Sequence, residues 1–193
     1  RLIFEKVSIM HNVLIVSGHT DLSNSFANKI ILDELKNLLP EAQQHHLDTL
    51  YPNYLFDVPA EQQKLIAADI IVLQFPFFWY GVPSLMKKWI EDVFVHGFSH
   101  GSTGVKVRGK KLIVSFTSGA PEEMYQYGGL QSYPITDFLP PLKQFASLCG
   151  LVWQDHVYTG NLSYIAKSDE QRAEMRLRAV SHAQKLANQI SNV

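Results

Sequence analysis

Three runs of aliphatic residues limit what this chain can fold into: Val13 to Val16, Ile70 to Leu73 and Lys111 to Phe116. They do not alternate apolar with polar residues, as strands wetted on one face do. Near-continuous β-branched and aliphatic runs belong to parallel strands covered on both faces. Two weaker strand signals, within 42–50 and over Val152 to Thr159, bring the count to five. Helical-period stretches alternate with them: Phe26 to Leu39, Glu61 to Ala68, Pro83 to about Val93, Ile135 to Leu148, and Ser168 to Ile190. Pro83 is placed as a first-turn residue, Asn24 or Ser25 as the cap of the first helix, and Gly150 as the stop after Cys149. Alternating strands and helices joined by right-handed crossovers predict an α/β fold, a doubly wound five-stranded parallel sheet with helices on both faces. Strand order 2-1-3-4-5 fits five strands best.

Length and charge narrow the class further. A chain of 193 residues is long enough to bury a core without disulfides or metal. Its single cysteine, Cys149, rules out an internal disulfide framework and suits a reducing compartment, so a cytoplasmic location is expected. Lys and Arg total 17 against 18 Asp and Glu, a net charge of −1. That balance argues against a strongly basic nucleic-acid surface, and no nucleic-acid partner is expected. No apolar run reaches the roughly 18 residues of a membrane span. Residues 1–10 read as an added leader with Met10 as the natural start, leaving 11–193 as a single domain.

In an open sheet of this order, ligands bind where the carboxyl ends of strands 1, 3 and 4 meet. Each of those ends carries an unusual loop. After strand 1, Gly18 to Ser25 supplies hydroxyls and backbone N–H groups at a helix start, a ready anion site. After strand 3 come Phe75, Pro76, Phe77, Phe78, Trp79, Tyr80 and Gly81. Consecutive aromatics also suit a buried plug, but Pro76, Gly81 and Pro83 impose an irregular backbone that a plug would not need. After strand 4, Thr117 to Pro121 turns the chain, and 121–134 reads as a long loop that closes over a ligand. A phosphate site, an aromatic wall and a turn of N–H groups together describe a site for a flavin nucleotide. Neither G-x-G-x-x-G nor the P-loop spacing is present.

The segments GHTDLSNSFAN, FPFFWYGVPSLMKKWIEDVFVHGFSHG and TSGAPEEMY resemble the flavodoxin-like NAD(P)H:quinone oxidoreductases, including the Kef-type ancillary reductases of potassium-efflux systems and the modulator-of-drug-activity-like reductases. The resemblance runs from Met10 over nearly the whole chain, and its middle segment is long and specific. It implies a flavodoxin-like sheet and a flavin cofactor, FMN with FAD as the alternative, reduced by NAD(P)H and reoxidised by a quinone or similar small acceptor. It places His19, Ser25, Phe26, Ala27 and Asn28 against the flavin's phosphate and ribityl chain. Phe77, Phe78, Trp79 and Tyr80 fall along the ring, and Thr117, Ser118, Gly119 and Ala120 at its N1/O2 edge. Tyr125 falls near the substrate, as the catalytic candidate. Ala120 stands where the family usually has a second glycine, and Gln131 stands where some members have a histidine, which removes a Tyr-His proton relay. The resemblance further implies a homodimer and a membrane potassium-efflux partner, with the protein peripheral at the inner membrane face. The rival roles are a regulatory flavoprotein subunit of a glutathione-gated efflux system, a flavodoxin-type electron carrier, and azo or nitro reduction by the same hydride chemistry.

The remaining chemistry-bearing residues read as structural. His45 and His46 are strand neighbours facing opposite ways, so they make poor joint metal ligands. Gly97, Phe98 and Ser99 put His96 and His100 on a loop, as pocket lining or structure, and no metal set is predicted. Cys149 at an apolar helix end reads as an inert buried thiol. Ser17 and Ser115 lack the partner pattern of a hydrolase. Lys87, Lys88 and Glu91 read as a solvated helix face.

Overall fold

The structure is a computed structural model describing residues 11–163, 165 and 168–193; the leader expected over 1–10 lies outside the described residues. Among the described residues six parallel strands form one sheet: β1 (Val13–Ser17), β2 (Gln43–His46), β3 (Ile70–Pro76), β4 (Lys111–Thr117), β5 (Val152–Trp153) and β6 (Val157–Thr159). The order β2-β1-β3-β4-β5 is the expected one, and β6 also pairs with β4. The stretch read as one fifth strand is therefore two. Val152 and Trp153 lie beside Lys111 and Leu112, and Val157 to Thr159 lie beside Ser115 to Thr117. Gln154, Asp155 and His156 interrupt the apolar pattern between them.

Side-chain alternation along the strands sorts the core into two layers. Leu14, Val16, Ile71, Leu73, Phe75, Leu112, Val114 and Phe116 pack on one face. There they meet Leu65 of α3 (Val58–Ala67), Trp89 of α4 (Ser84–Val93) and Ala146 of α5 (Pro140–Cys149). Ile15, Ile70, Val72, Ile113 and Val157 pack on the other, against α1 (Ala27–Leu38) and α6 (Asp169–Ser191). Fully burying each such side chain contributes about 1.5–3 kcal/mol, so the two layers hold the sheet between its helices. One short helix, α2 (Leu47–Leu50), follows β2.

The helix ends refine the reading. Asp57 caps α3 by accepting from the Ala60 N–H, and Ser168 and Gln171 cap α6 reciprocally. Pro83 is the N-cap of α4, not its first-turn residue, because its ψ of 154° is extended. Ser25 sits one residue before the cap of α1, yet its Oγ still accepts the Asn28 N–H at 3.2 Å. Ile135 to Leu148 is not one helix. A 3-10 turn spans Ile135–Phe138, and Pro140 and Pro141 then open α5, which Gly150 ends at φ +68°. Among the described residues no helix is long and apolar enough to cross a membrane.

Candidate functional site

The carboxyl ends of β1, β3 and β4 converge, and the loops leaving them enclose a cavity of about 400 Å3. His19, Asn24, Ser25, Phe26, Ala27 and Asn28 come from the first loop and helix, Pro76, Phe77 and Phe78 from the second, and Thr117, Ser118 and Gly119 from the third. Leu162 and Ser163, beyond β6, close the remaining side. Sequence reasoning missed these last two, because nothing in the segment Asn161 to Ser163 distinguishes it from an ordinary connection.

The first loop is built around its own acid and imidazole. Asp21 accepts from Ser23 Oγ at 2.7 Å and from Asn24 Nδ2 at 2.6 Å, and these bonds lower its pKa. The Asp21 N–H donates to His19 Nδ1 at 3.0 Å, which leaves the proton of a neutral imidazole on Nε2. The Leu22 N–H donates to Asp48 Oδ2 at 2.8 Å and ties the loop to α2. Burial lowers the His19 pKa, opposed by the negative charges of Asp48 and Asp21. The cavity is thus lined by donors: an imidazole, hydroxyls, and first-turn N–H groups of α1 that have no acceptor within the helix.

The aromatic loop is a tight hairpin. Phe78 and Gly81 exchange backbone hydrogen bonds of 3.1 Å in both directions, leaving Trp79 and Tyr80 as the two central residues. Their φ angles are +47° and +66°, a left-handed pair that such hairpins normally fill with Asn and Gly. Each costs roughly 1–2 kcal/mol in an L-residue. The strain throws Trp79 outward, where it is 95 % exposed. An aromatic plug would bury it.

Beyond Phe77 lies an outer cavity of about 230 Å3, lined by Trp79, Tyr80, Ala120, Tyr125 and Gln131 and sharing Phe77, Ser118 and Gly119 with the inner one. Tyr125 packs near Phe77, Phe138 and Tyr158, with ring centroids 6.2, 6.3 and 6.2 Å away. Burial raises its pKa, and the Ser118 hydroxyl lowers it in part. Gln131 accepts from the Tyr80 hydroxyl at 3.2 Å. The turn after β4 is held from below: the Ser118 N–H donates to Thr159 O, and the Leu162 N–H donates to Ser118 O. The Asn161 N–H donates to Ala120 O. Gly160 permits that approach, since a Cβ there would lie 2.8 Å from the Glu122 backbone nitrogen and 2.9 Å from Ala120 O.

All fourteen site residues read from the sequence therefore border one or other of two adjoining cavities, ten the inner and Trp79, Tyr80, Ala120 and Tyr125 the outer. The other expectations divide. His45 is buried and His46 half-buried, on opposite faces of β2. His96 and His100 line neither cavity, and their rings meet each other edge-on at 5.8 Å. Cys149 is buried with its thiol pKa raised by burial. Lys87 and Lys88 pair with Glu91 and Asp92 at 3.3 and 2.6 Å on the outside of α4. Ser115 does have a histidine partner, His182, 2.7 Å away, which the sequence did not suggest. Both are fully buried, and the other imidazole nitrogen faces Thr159 rather than a carboxylate, so the pair is not a hydrolytic one.

Comparison with known proteins agrees with this architecture. The model of a family described as having the flavodoxin-like fold matches residues 11–183, and the chain belongs to that family. It is 34 % identical over 164 residues to the uncharacterized NAD(P)H oxidoreductase YrkL of Bacillus subtilis, covering 85 % of this chain and 94 % of that one. It is 31 % identical over 179 residues to the glutathione-regulated potassium-efflux system ancillary protein KefG of Shigella flexneri, covering 93 % and 94 %. Among solved structures, general stress protein 14 of Treponema denticola in complex with FMN superposes with a TM-score of 0.82 at 26 % identity, covering 92 % of this chain and 99 % of that one.

Proposed function

We propose that the protein is an FMN-dependent NAD(P)H:quinone oxidoreductase. The observation that carries this is the joining of a donor-lined inner cavity to an aromatic-walled outer one across Phe77, Ser118 and Gly119. The donor set fits a phosphorylated planar ring. His19 and the N-terminus of α1 would hold the phosphate, Ser25 and Asn28 the polyol, Phe77 and Phe78 the ring, and the Thr117 to Ala120 turn its polar edge. The inner cavity lies within the size range of small-molecule sites. The relative named as an NAD(P)H oxidoreductase and the neighbour solved with FMN support FMN and a nicotinamide donor; nothing of that kind supports FAD.

Bound FMN would supply hydride acceptance from the nicotinamide and hydride delivery to a quinone. The chain's own part is orientation and polarity. Of the turn's backbone N–H groups, those of Gly119 and Ala120 would favour negative charge on the ring edge facing them, the Ser118 N–H being held by Thr159 O. Phe77, Trp79 and Tyr80 would stack a flat donor and then a flat acceptor in the same outer cavity, and Tyr125 would offer a hydroxyl to the acceptor. The exposed Trp79, Tyr80, Tyr127, Leu130 and Tyr133 make an apolar rim that supports a homodimer closing over the site. A cytoplasmic location is part of this reading.

The test is the purified protein with menadione and NADH or NADPH. Parallel lines in double-reciprocal plots, and FMN identified after boiling, are the expected results. A ternary-complex pattern with no reduction of the flavin by NAD(P)H alone would overturn the shared-cavity scheme. The relative named as an ancillary protein of a potassium-efflux system supports a second role, binding a potassium-efflux protein; a place at the inner face of the membrane belongs to that reading. Co-purification with such a protein tests it, and the two roles are compatible.

A further inference from the structure

Behind the inner cavity, on the face of the sheet covered by α1 and α6, six buried side chains form one unbroken line. The sheet register puts Gln74 beside Ser115, and α6 and α1 flank that pair with His182 and Asn28. Thr159 Oγ1 is 2.9 Å from His182 Nδ1, and His182 Nε2 is 2.7 Å from Ser115 Oγ. Ser115 Oγ donates to Gln74 Oε1 at 2.5 Å. Gln74 Nε2 donates to Asn28 Oδ1 at 3.0 Å, and Asn28 Nδ2 donates to Thr117 Oγ1 at 3.1 Å. None of the six is more than 6 % exposed. The line starts at Thr159 of β6 and His182 of α6, both outside the cavity lining, and ends on two residues of that lining, Asn28 and Thr117.

Such a line has a direction. Ser115 spends its only proton on Gln74, so it must accept from His182, whose proton is then on Nε2 and whose Nδ1 accepts from Thr159. At the other end, Thr117 Oγ1 already accepts from Asn28, so its own proton is directed elsewhere. Gln74 and Asn28 face each other, so reversing one amide alone would set two donors or two acceptors against one another, whereas the hydroxyls and the imidazole can turn or change tautomer to follow. The two amides can reverse only together, and a half-satisfied buried chain is costly.

We propose that His182 is a positioning residue for the nucleotide site: it completes the Thr159–His182–Ser115–Gln74–Asn28–Thr117 chain on the side away from the cavity, leaving the Ser115 proton for Gln74, so that Asn28 is locked in place and Thr117 presents a hydroxyl donor to the bound group. This rests on the flavin reading of the cavity, but the chain itself is testable without it. A buried neutral imidazole suits the role, since it donates at one nitrogen and accepts at the other.

The experiment uses His182→Leu, which cuts the chain, and His182→Gln, which keeps a donor toward Ser115. Two readouts are taken on folded protein: the side-chain amide NMR signals of Asn28, and FMN affinity by fluorescence titration of flavin-free protein. In His182→Leu the Asn28 signals shift and FMN binds about fivefold more weakly, the effect of one lost hydrogen bond. In His182→Gln both return toward the wild type. Combined with Thr117→Val, His182→Leu adds no further loss, because the terminal donor is already gone. Unmoved Asn28 signals would overturn the chain. Shifted signals with unchanged FMN affinity, or losses that simply add to those of Thr117→Val, would overturn the positioning role and leave His182 a packing residue. Wild-type protein that binds no FMN would overturn the flavin reading instead, and the Asn28 signals would then decide the chain alone. Should His182→Leu not fold, Ser115→Ala cuts the same chain and is read against the same signals.

Discussion

Two histidines in this molecule are buried almost completely, and their surroundings use them in opposite ways. His45, 2 % exposed, donates from Nε2 to the carboxylate of Glu61 at 2.6 Å. Glu61 also accepts from Tyr51 at 2.6 Å and from the indole of Trp89 at 2.8 Å, so one anion ties β2, the segment after α2, α3 and α4 together. Burial alone would raise the Glu61 carboxyl, but the hydrogen bonds from His45 and Tyr51, the attraction of His45 and the Trp89 bond outweigh it and hold it at about 2. His182, on the opposite face of the sheet, meets only neutral partners. Burial, with the positive charge of Lys185, pushes its pKa down to about 3. Equal burial therefore decides little. The first histidine belongs to a charged clamp that fastens elements, the second to a neutral chain that ends at the cavity.

The largest expected effect breaks the clamp. Glu61→Leu strands the buried His45 and Trp89 donors and the half-buried Tyr51 hydroxyl at once and should cost about 3–5 kcal/mol in urea denaturation, with FMN affinity unchanged in whatever protein remains folded. Next comes acid. Below about 6.5 unfolded chains protonate His182 whereas the folded protein does so only near pH 3, so stability falls with decreasing pH across that window by up to about 1.4 kcal/mol per unit. Glu61 has a depressed pKa, so its contribution is fully present above about 4.5 and is lost as pH falls toward 2. His182→Gln should flatten the stability curve between pH 6.5 and 3 and leave the steeper fall below 4.5. If His182→Gln instead leaves the upper window as steep as wild type, the neutral assignment of that histidine is wrong.

A smaller effect comes from the strained hairpin. Replacing Trp79 and Tyr80 together by Asn and Gly fits the left-handed pair and should raise stability by about 1–2 kcal/mol while lowering the turnover of menadione. Unchanged stability would show that the turn stores no strain. The smallest is local to His19. A bound phosphate raises an imidazole pKa that burial has lowered, so FMN affinity should increase as pH falls through that pKa, and His19→Ala should remove the dependence. Isothermal titration between pH 5 and 8 measures both.

How much of this was legible beforehand follows the range over which each signal acts. The strands β1, β3 and β4 and their order were readable because burial on both faces leaves a local mark in every residue. The three loops were readable as places where that mark gives way to Gly, Pro, hydroxyls and aromatics, and Phe77, Ser118 and Gly119 proved to be the shared wall. The fifth strand misled because the polar Gln154 to His156 is too short an interruption between Val152-Trp153 and Val157 to Thr159 to read as a break, and only pairing with β4 shows two strands. The helix over Ile135 to Leu148 misled because its spacing is right on both sides of two prolines. The chain through His182 left no trace at all. Its partners are separated by 23 to 89 residues, and no local pattern distinguishes Ser115 or Gln74 from a strand residue that happens to be polar.

The central claim is that three strand ends form one site for a planar ring carrying a phosphate. Titrating the flavin-free protein with FMN, and following flavin fluorescence, tests it most directly. One equivalent bound per chain, with binding weakened by changes at His19, Phe78 and Thr117 alike, is the expected result. No saturable binding, or binding indifferent to substitutions in all three loops, would contradict it.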